Sequence, residues 1–250
     1  QAEVTLLPET ATSGTGSEVG RASVIIERAT HTKRIIFHPA MLPARVLCDP
    51  ELTVGLPARI TGWTGIDALS HNLEAFCAPG FHPMADGIAL EGMRLCFAFL
   101  PRAVRDGQDI EARSAMMAAS AMGATAFQKG LGGMHALAHP IGALFNTHHG
   151  LANGVVMPYV LRHNEVAIAD RLAAAARYCG FGDSFSAFVD QVLELREQAH
   201  VPNTLVEVGV PADAAARVGP LAALDPSAGG NPLPLDATVL TALCQTCLGS

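Results

Sequence analysis

The chain is 250 residues long, 50% apolar and 16% charged, with a formal net charge of −7. That length and apolar content support a sizeable buried core and exclude a disordered chain. The acidic balance argues against a nucleic-acid or anionic-membrane surface, and no run of about 18 uncharged apolar residues marks a membrane span.

In chain order, the first fifty or so residues are rich in β-formers. Residues 4–7 form a short apolar run, and residues 23–26, 35–37 and 45–48 are β-rich, the last closed by Asp49-Pro50. A small polar loop, residues 10–18, separates the first two runs. These segments are expected to be strands and turns of an α/β layer. No basic-then-apolar leader precedes Gln1, so the expectation is a soluble cytoplasmic protein.

Beyond Pro57 the pattern changes to apolar residues recurring at three and four. Helices are predicted over 57–78, 83–105, 109–129, 134–146, 150–163, 165–180, 184–200 and 235–248. A β-rich head followed by a run of helices reads as α+β by segregation, not as repeated β-α-β units.

The six cysteines, Cys48, Cys77, Cys96, Cys179, Cys244 and Cys247, are scattered through apolar stretches and are expected to be buried free thiols. Cys244 and Cys247 form a C-x-x-C, but no second one completes a zinc site, so the pair reads as structural.

Asp67 and His71 stand four apart, on one face of a helix and one turn from each other. Their neighbours Ile66, Leu69 and Leu73 are apolar, and a buried carboxylate is costly unless paired or bound to a cation. His135 and His139 repeat the spacing, and His148 and His149 follow. One carboxylate with three imidazoles suits Fe2+ or Zn2+. The residues alone leave open whether His148 or His149, and whether His135 or His139, faces the ion. The loop 12–18 could cradle a phosphate through its backbone N–H groups, or be an ordinary turn. No G-x-G-x-x-G follows a strand, so a Rossmann fingerprint is absent from this sequence.

Several motifs in order resemble the iron-containing (group III) alcohol dehydrogenase family, closest to its propanediol oxidoreductase-like branch. They are Gly14-Thr15-Gly16-Ser17-Glu18-Val19, Asp49-Pro50, residues 64–71 with Glu74, and residues 132–143 continuing through His148-His149-Gly150 to Asn153, Pro158 and Asn164. The resemblance implies a remnant of an α/β nucleotide-binding domain over residues 1–56. An all-helical metal-binding catalytic domain would follow over residues 57–250. It implies Asp67, His71, His135 and His149 as metal ligands, and His139 near the nicotinamide, positioning substrate or relaying a proton. It implies Thr12, Thr15 and Lys33 at the cofactor, and Phe127 near the substrate pocket. The family's Gly-Gly-Gly-Ser pyrophosphate loop is not in this sequence, so a fragment is expected. The implied cofactors are Fe2+, or Zn2+ or another divalent metal, with NAD or NADP. The implied substrate is a small alcohol or aldehyde; the apolar composition suggests a homo-oligomer. The alternatives are a maleylacetate reductase-type enzyme, a polyol dehydrogenase of the same superfamily, or an inactive helical metal-binding fragment.

Overall fold

The computed structural model describes residues 12–249 apart from 21 and 28–31. The run expected at residues 4–7 lies outside them. Strands β1 (Ala22–Glu27) and β2 (Thr32–Phe37) pair antiparallel, with Ala22 opposite Phe37 and Glu27 opposite Thr32. They stand ahead of the α-helices, as α+β by segregation requires. The expected strand at 45–48 does not form: only Leu47 makes an isolated bridge. Among the described residues the sheet has two strands, β1 and β2. Pro43 and Pro50 bracket it, and Leu47 and Cys48 are left exposed.

Eight α-helices follow among the described residues: α1 (Ala58–Cys77), α2 (Pro83–Arg105), α3 (Ile110–Ala126), α4 (Gly133–Phe145), α5 (His149–Cys179), α6 (Phe185–Gln198), α7 (Ala215–Ala223) and α8 (Ala237–Leu248). Several begin where a side chain satisfies an orphan backbone donor. His82 accepts from the Ala85 N–H, Asp109 from Ala112, Ser184 from Ala187 and Asp236 from Val239. The two helices predicted over 150–163 and 165–180 are one 31-residue helix, α5. Helix α7 was not predicted.

Helix α1 runs through the core. Ile66, Leu69 and Leu73 are fully buried, and α1 packs against α2, α3 and α5. Small residues let these helices approach where the functional residues lie. A Cβ added at Gly123 of α3 would come within 2.8 Å of Asn72 Nδ2 and 2.9 Å of His71 Cβ. Asn72 fixes the same contact by donating to the Ala68 and Ala119 carbonyls, at 2.8 and 2.9 Å. Cys77, Cys96, Cys244 and Cys247 are buried free thiols, whereas Cys48 is exposed and Cys179 half-buried. Among the described residues no helix is long and apolar enough to cross a membrane.

Candidate metal centre

Four side chains from three helices converge. Asp67 and His71 come from successive turns of α1, His135 from α4, and His149 is the first residue of α5. Each offers one ligand atom, and these atoms all lie within 4.8 Å of one another. Asp67, His71 and His135 are buried, while the His149 side chain keeps 30% of its exposure. The alternatives left open by spacing are thereby separated. His148, capping α5, turns its ring to Trp63, with centroids 5.4 Å apart. His139 stands beside the cluster, stacked on the His149 ring at 5.3 Å and 10°.

Neighbouring groups fix which nitrogen each imidazole presents. His71 Nδ1 lies 3.3 Å from the Gly14 carbonyl. A carbonyl only accepts, so Nδ1 carries the proton and Nε2 keeps its lone pair. His135 Nδ1 lies 2.7 Å from Glu74 Oε2, which leaves Nε2 toward the cluster. Glu74 is itself held by the backbone N–H groups of Gly132 and Met134, at 2.9 and 2.7 Å. Outer partners of this kind orient metal-binding histidines. Asn153, one turn after His149, donates from Nδ2 to Asp67 Oδ1 at 2.9 Å. The same Nδ2 lies 3.3 Å from His135 Nε2 and 3.2 Å from His149 Nε2. The positive end of one amide thus faces several converging acceptors. A carboxylate and three imidazole lone pairs, short of donors, fit a divalent cation.

The electrostatics agree with that fit. Burial opposes ionisation of Asp67, but His71, His149, His135 and the Asn153 hydrogen bond outweigh it and hold the carboxyl at about 2. Burial pushes the His149 imidazole down to about 3; Asp67 opposes the shift and the other histidines add to it. Burial also drives His135 well below its ordinary value. Both imidazoles are therefore neutral near pH 7, the form that ligates a metal. Burial pushes Glu74 up to about 7, against the backbone donors that favour its carboxylate.

These shifts give the metal-free chain a signed pH dependence. Between pH 6.5 and about 3 the unfolded chain takes up the proton that folded His149 refuses, so stability falls as pH falls through that window. His135 acts in the same sense. Glu74, shifted up from 4.5 to about 7, holds more protons when folded and partly offsets the loss within that range. Below 4.5 that offset is gone, and Asp67, lowered from 3.8 to about 2, adds to the loss. Thermal melts of the chelator-treated chain, taken from neutral to acid pH, should decline and steepen below about 4.5; a flat melting temperature contradicts the assigned shifts.

The remaining sequence-predicted residues are less concentrated. Thr12 and Thr15 are exposed on the loop that supplies Gly14. Gly16 closes that loop in a left-handed conformation, φ 60°, where an added Cβ would meet the Ser120 carbonyl at 2.5 Å. Lys33 lies in β2, and its side chain is outside the described residues. The Phe127 ring lies 5.1 Å from the His71 ring. Sequence reasoning gave no role to Glu74, Asn153 or Asp225. The i, i+4 spacing of His149 and Asn153 was the available signal for Asn153. Asp225, whose Oδ2 lies 2.7 Å from His139 Nδ1, is 86 residues from that partner and carried none.

The C-terminal model of the Fe-containing alcohol dehydrogenase family matches residues 61–248. The 4-hydroxybutyrate dehydrogenase of Cupriavidus necator is 45% identical over 212 residues, covering 81% of this chain and 55% of the relative. The NAD-dependent methanol dehydrogenase of Bacillus methanolicus is 38% identical over 209 residues, covering 80% of this chain and 55% of the relative. The crystal structure of a 1,3-propanediol oxidoreductase superposes with a TM-score of 0.91 at 31% identity, covering 95% of this chain and 64% of that one. The chain thus spans about half the length of these two curated relatives.

Proposed function

The chain belongs to the Fe-containing alcohol dehydrogenase family, and from that premise we propose that Asp67, His71, His135 and His149 hold one divalent cation, Fe2+ or Zn2+ or another. We propose further that the protein interconverts a small alcohol and its aldehyde or ketone by hydride exchange with NAD or NADP. The observation that carries this reading is the convergence of four ligand atoms within 4.8 Å. Relatives named for methanol and 4-hydroxybutyrate support the substrate class. When bound, the cation supplies Lewis-acid polarisation of the substrate oxygen, and the nicotinamide supplies the hydride chemistry.

The chain's own residues have separable tasks in this reading. Asp67 brings charge, and the three imidazoles bind through nitrogens whose orientation Gly14 and Glu74 set. Phe127 gives the cluster an apolar wall beside His71. His139, next to His149, exchanges a proton with the substrate. Thr12, Thr15 and Lys33 contact the nucleotide. Residues 57–250 form the metal-binding domain, and residues 1–56 the end of a nucleotide-binding one.

The test is an anaerobic titration of the chelator-treated chain with Fe2+ or Zn2+, followed by NADH and a short aldehyde. One cation per chain should bind, and His149→Ala should lose it. The loaded protein should oxidise NADH only when aldehyde is present. Absence of stoichiometric binding would remove the metal centre from the reading; binding without NADH turnover would leave a metal site and remove the dehydrogenase.

A further inference from the structure

The segment between α7 and α8 touches the site by way of one carboxylate. Asp225 caps the short 3-10 turn Pro226–Gly230: one oxygen, Oδ1, accepts the Ser227 N–H at 2.9 Å. The other, Oδ2, lies 2.7 Å from His139 Nδ1. Both side chains are mostly buried, 13% and 14% exposed. The turn is anchored at its far end as well. Asn231 Oδ1 accepts from the Gly133 N–H at 3.1 Å and from Asn164 at 2.9 Å, and Asn231 returns a bond to Asn164 at 2.8 Å. Gly230 lies so close to Leu131 that a Cβ there would sit 2.1 Å from its carbonyl oxygen. The segment 225–231 therefore clamps α4 at its first residue and again at His139.

We propose that Asp225 is a positioning residue: it fixes His139 as the Nδ1–H tautomer, leaving Nε2 as the proton-accepting nitrogen beside the metal centre. This rests on the reading of His139 as the proton-exchanging group. The logic is one of donors and acceptors. An ionised carboxylate only accepts, so the short contact requires the proton on Nδ1. Burial raises the Asp225 carboxyl, but the hydrogen bond and electrostatic attraction of His139 and the hydrogen bonds from Ser227 together outweigh it and hold the group below its ordinary value. An imidazole whose single N–H sits on Nδ1 keeps a free lone pair on Nε2.

Asp225→Asn tests the assignment with little disturbance, because asparagine caps a turn as well as aspartate does. With Oδ1 kept by Ser227, the new amide N–H2 faces His139 Nδ1 and donates to it, which forces the proton to Nε2. Long-range 1H–15N spectra of the histidine-labelled, Zn2+-loaded chain read the tautomer directly, with the His139 signals identified by their loss in His139→Gln. The expected result is Nδ1–H in the parent and in Asp225→Glu, and Nε2–H in Asp225→Asn, with bound Zn2+ and far-ultraviolet circular dichroism unchanged. In the NADH-dependent assay Asp225→Asn should lower kcat by roughly a hundredfold to ten-thousandfold, the range for a lost acid–base group. KM should change little, and Asp225→Glu should recover much of the loss. A His139 tautomer that ignores Asp225→Asn overturns the assignment, as does unaltered turnover in that variant. Unaltered turnover in His139→Gln instead overturns the proton-exchange reading beneath it, whatever the spectra show.

Discussion

Asp67→Ala should abolish the response of the chain to divalent cations while leaving the metal-free fold intact. The carboxylate is the cluster's one formal negative charge among the four grouped side chains. Losing an outer-shell partner alone typically costs 10- to 100-fold in metal affinity, so losing this ligand should cost at least about a hundredfold. The metal-free variant should still fold, less the stability that the lowered Asp67 carboxyl gives near neutral pH through His71, His149, His135 and the hydrogen bond from Asn153. Cation binding adds about 2.7 kcal/mol to the folded state when free metal is about 100 times Kd. For a chain of this size that corresponds to roughly 5–10 °C in melting temperature. Melts with and without Zn2+ should therefore separate for the parent chain and coincide for Asp67→Ala. A variant that still gained several degrees from Zn2+ would show that the ion sits elsewhere. Asp67→Asn refines the result, since it keeps the shape and removes only the charge.

Much of the architecture can be read from local sequence because local rules decide it. The helix stops and starts at His82, Asp109, Ser184 and Asp236 coincide with side chains able to cap backbone donors. What could not be read depends on partners far along the chain. Asn164 looks like a break between two helices, yet α5 runs through it because its amide pairs reciprocally with Asn231, 67 residues away. Helix α7 hides behind Gly219 and Pro220, both poor helix residues. Gly219 is there for close packing, since a Cβ would lie 2.0 Å from Thr241 Oγ1 of α8. The run at 45–48 has strand composition, but among the described residues it forms only the bridge at Leu47, since strand composition alone does not make a strand. At the site, i, i+4 spacing pointed to the helix faces that the fold brings together but could not choose between adjacent histidines. That choice depends on where α5 begins: His149 is its first residue and His148 its cap, so the two rings leave in different directions. Glu74 and Asn153 make their contacts only once α1, α4 and α5 have met, and Asp225 only once the segment after α7 reaches α4.

Gly150→Ala should damage both stability and metal binding, although alanine is the better helix former. Gly150 follows His149 in the first turn of α5, and there α5 crosses α1 at very short range. A Cβ would lie 2.1 Å from the Trp63 carbonyl oxygen, 2.9 Å from its carbonyl carbon and 3.0 Å from Asp67 Cβ. Two of the obstacles are backbone atoms of α1, so no flexible side chain can move aside. Helix propensity favours alanine by at most about 1 kcal/mol, whereas overpacking of this kind costs about 1–3 kcal/mol. The net loss should lower the melting temperature by several degrees, at roughly 2–4 °C per kcal/mol. Relief comes most easily by moving the start of α5 away from α1, which carries His149 away from Asp67 and His71. Zn2+ affinity should then fall by at least tenfold in the same variant. Gly87→Ala is the control: Gly87 is exposed in α2 and a Cβ there meets nothing within 4 Å. It should be neutral to stabilising by about 0.5–1 kcal/mol, with Zn2+ binding unchanged. If Gly150→Ala melted and bound Zn2+ like the parent, α1 and α5 would not meet as closely as described, and the placement of His149 beside Asp67 would lose its structural basis.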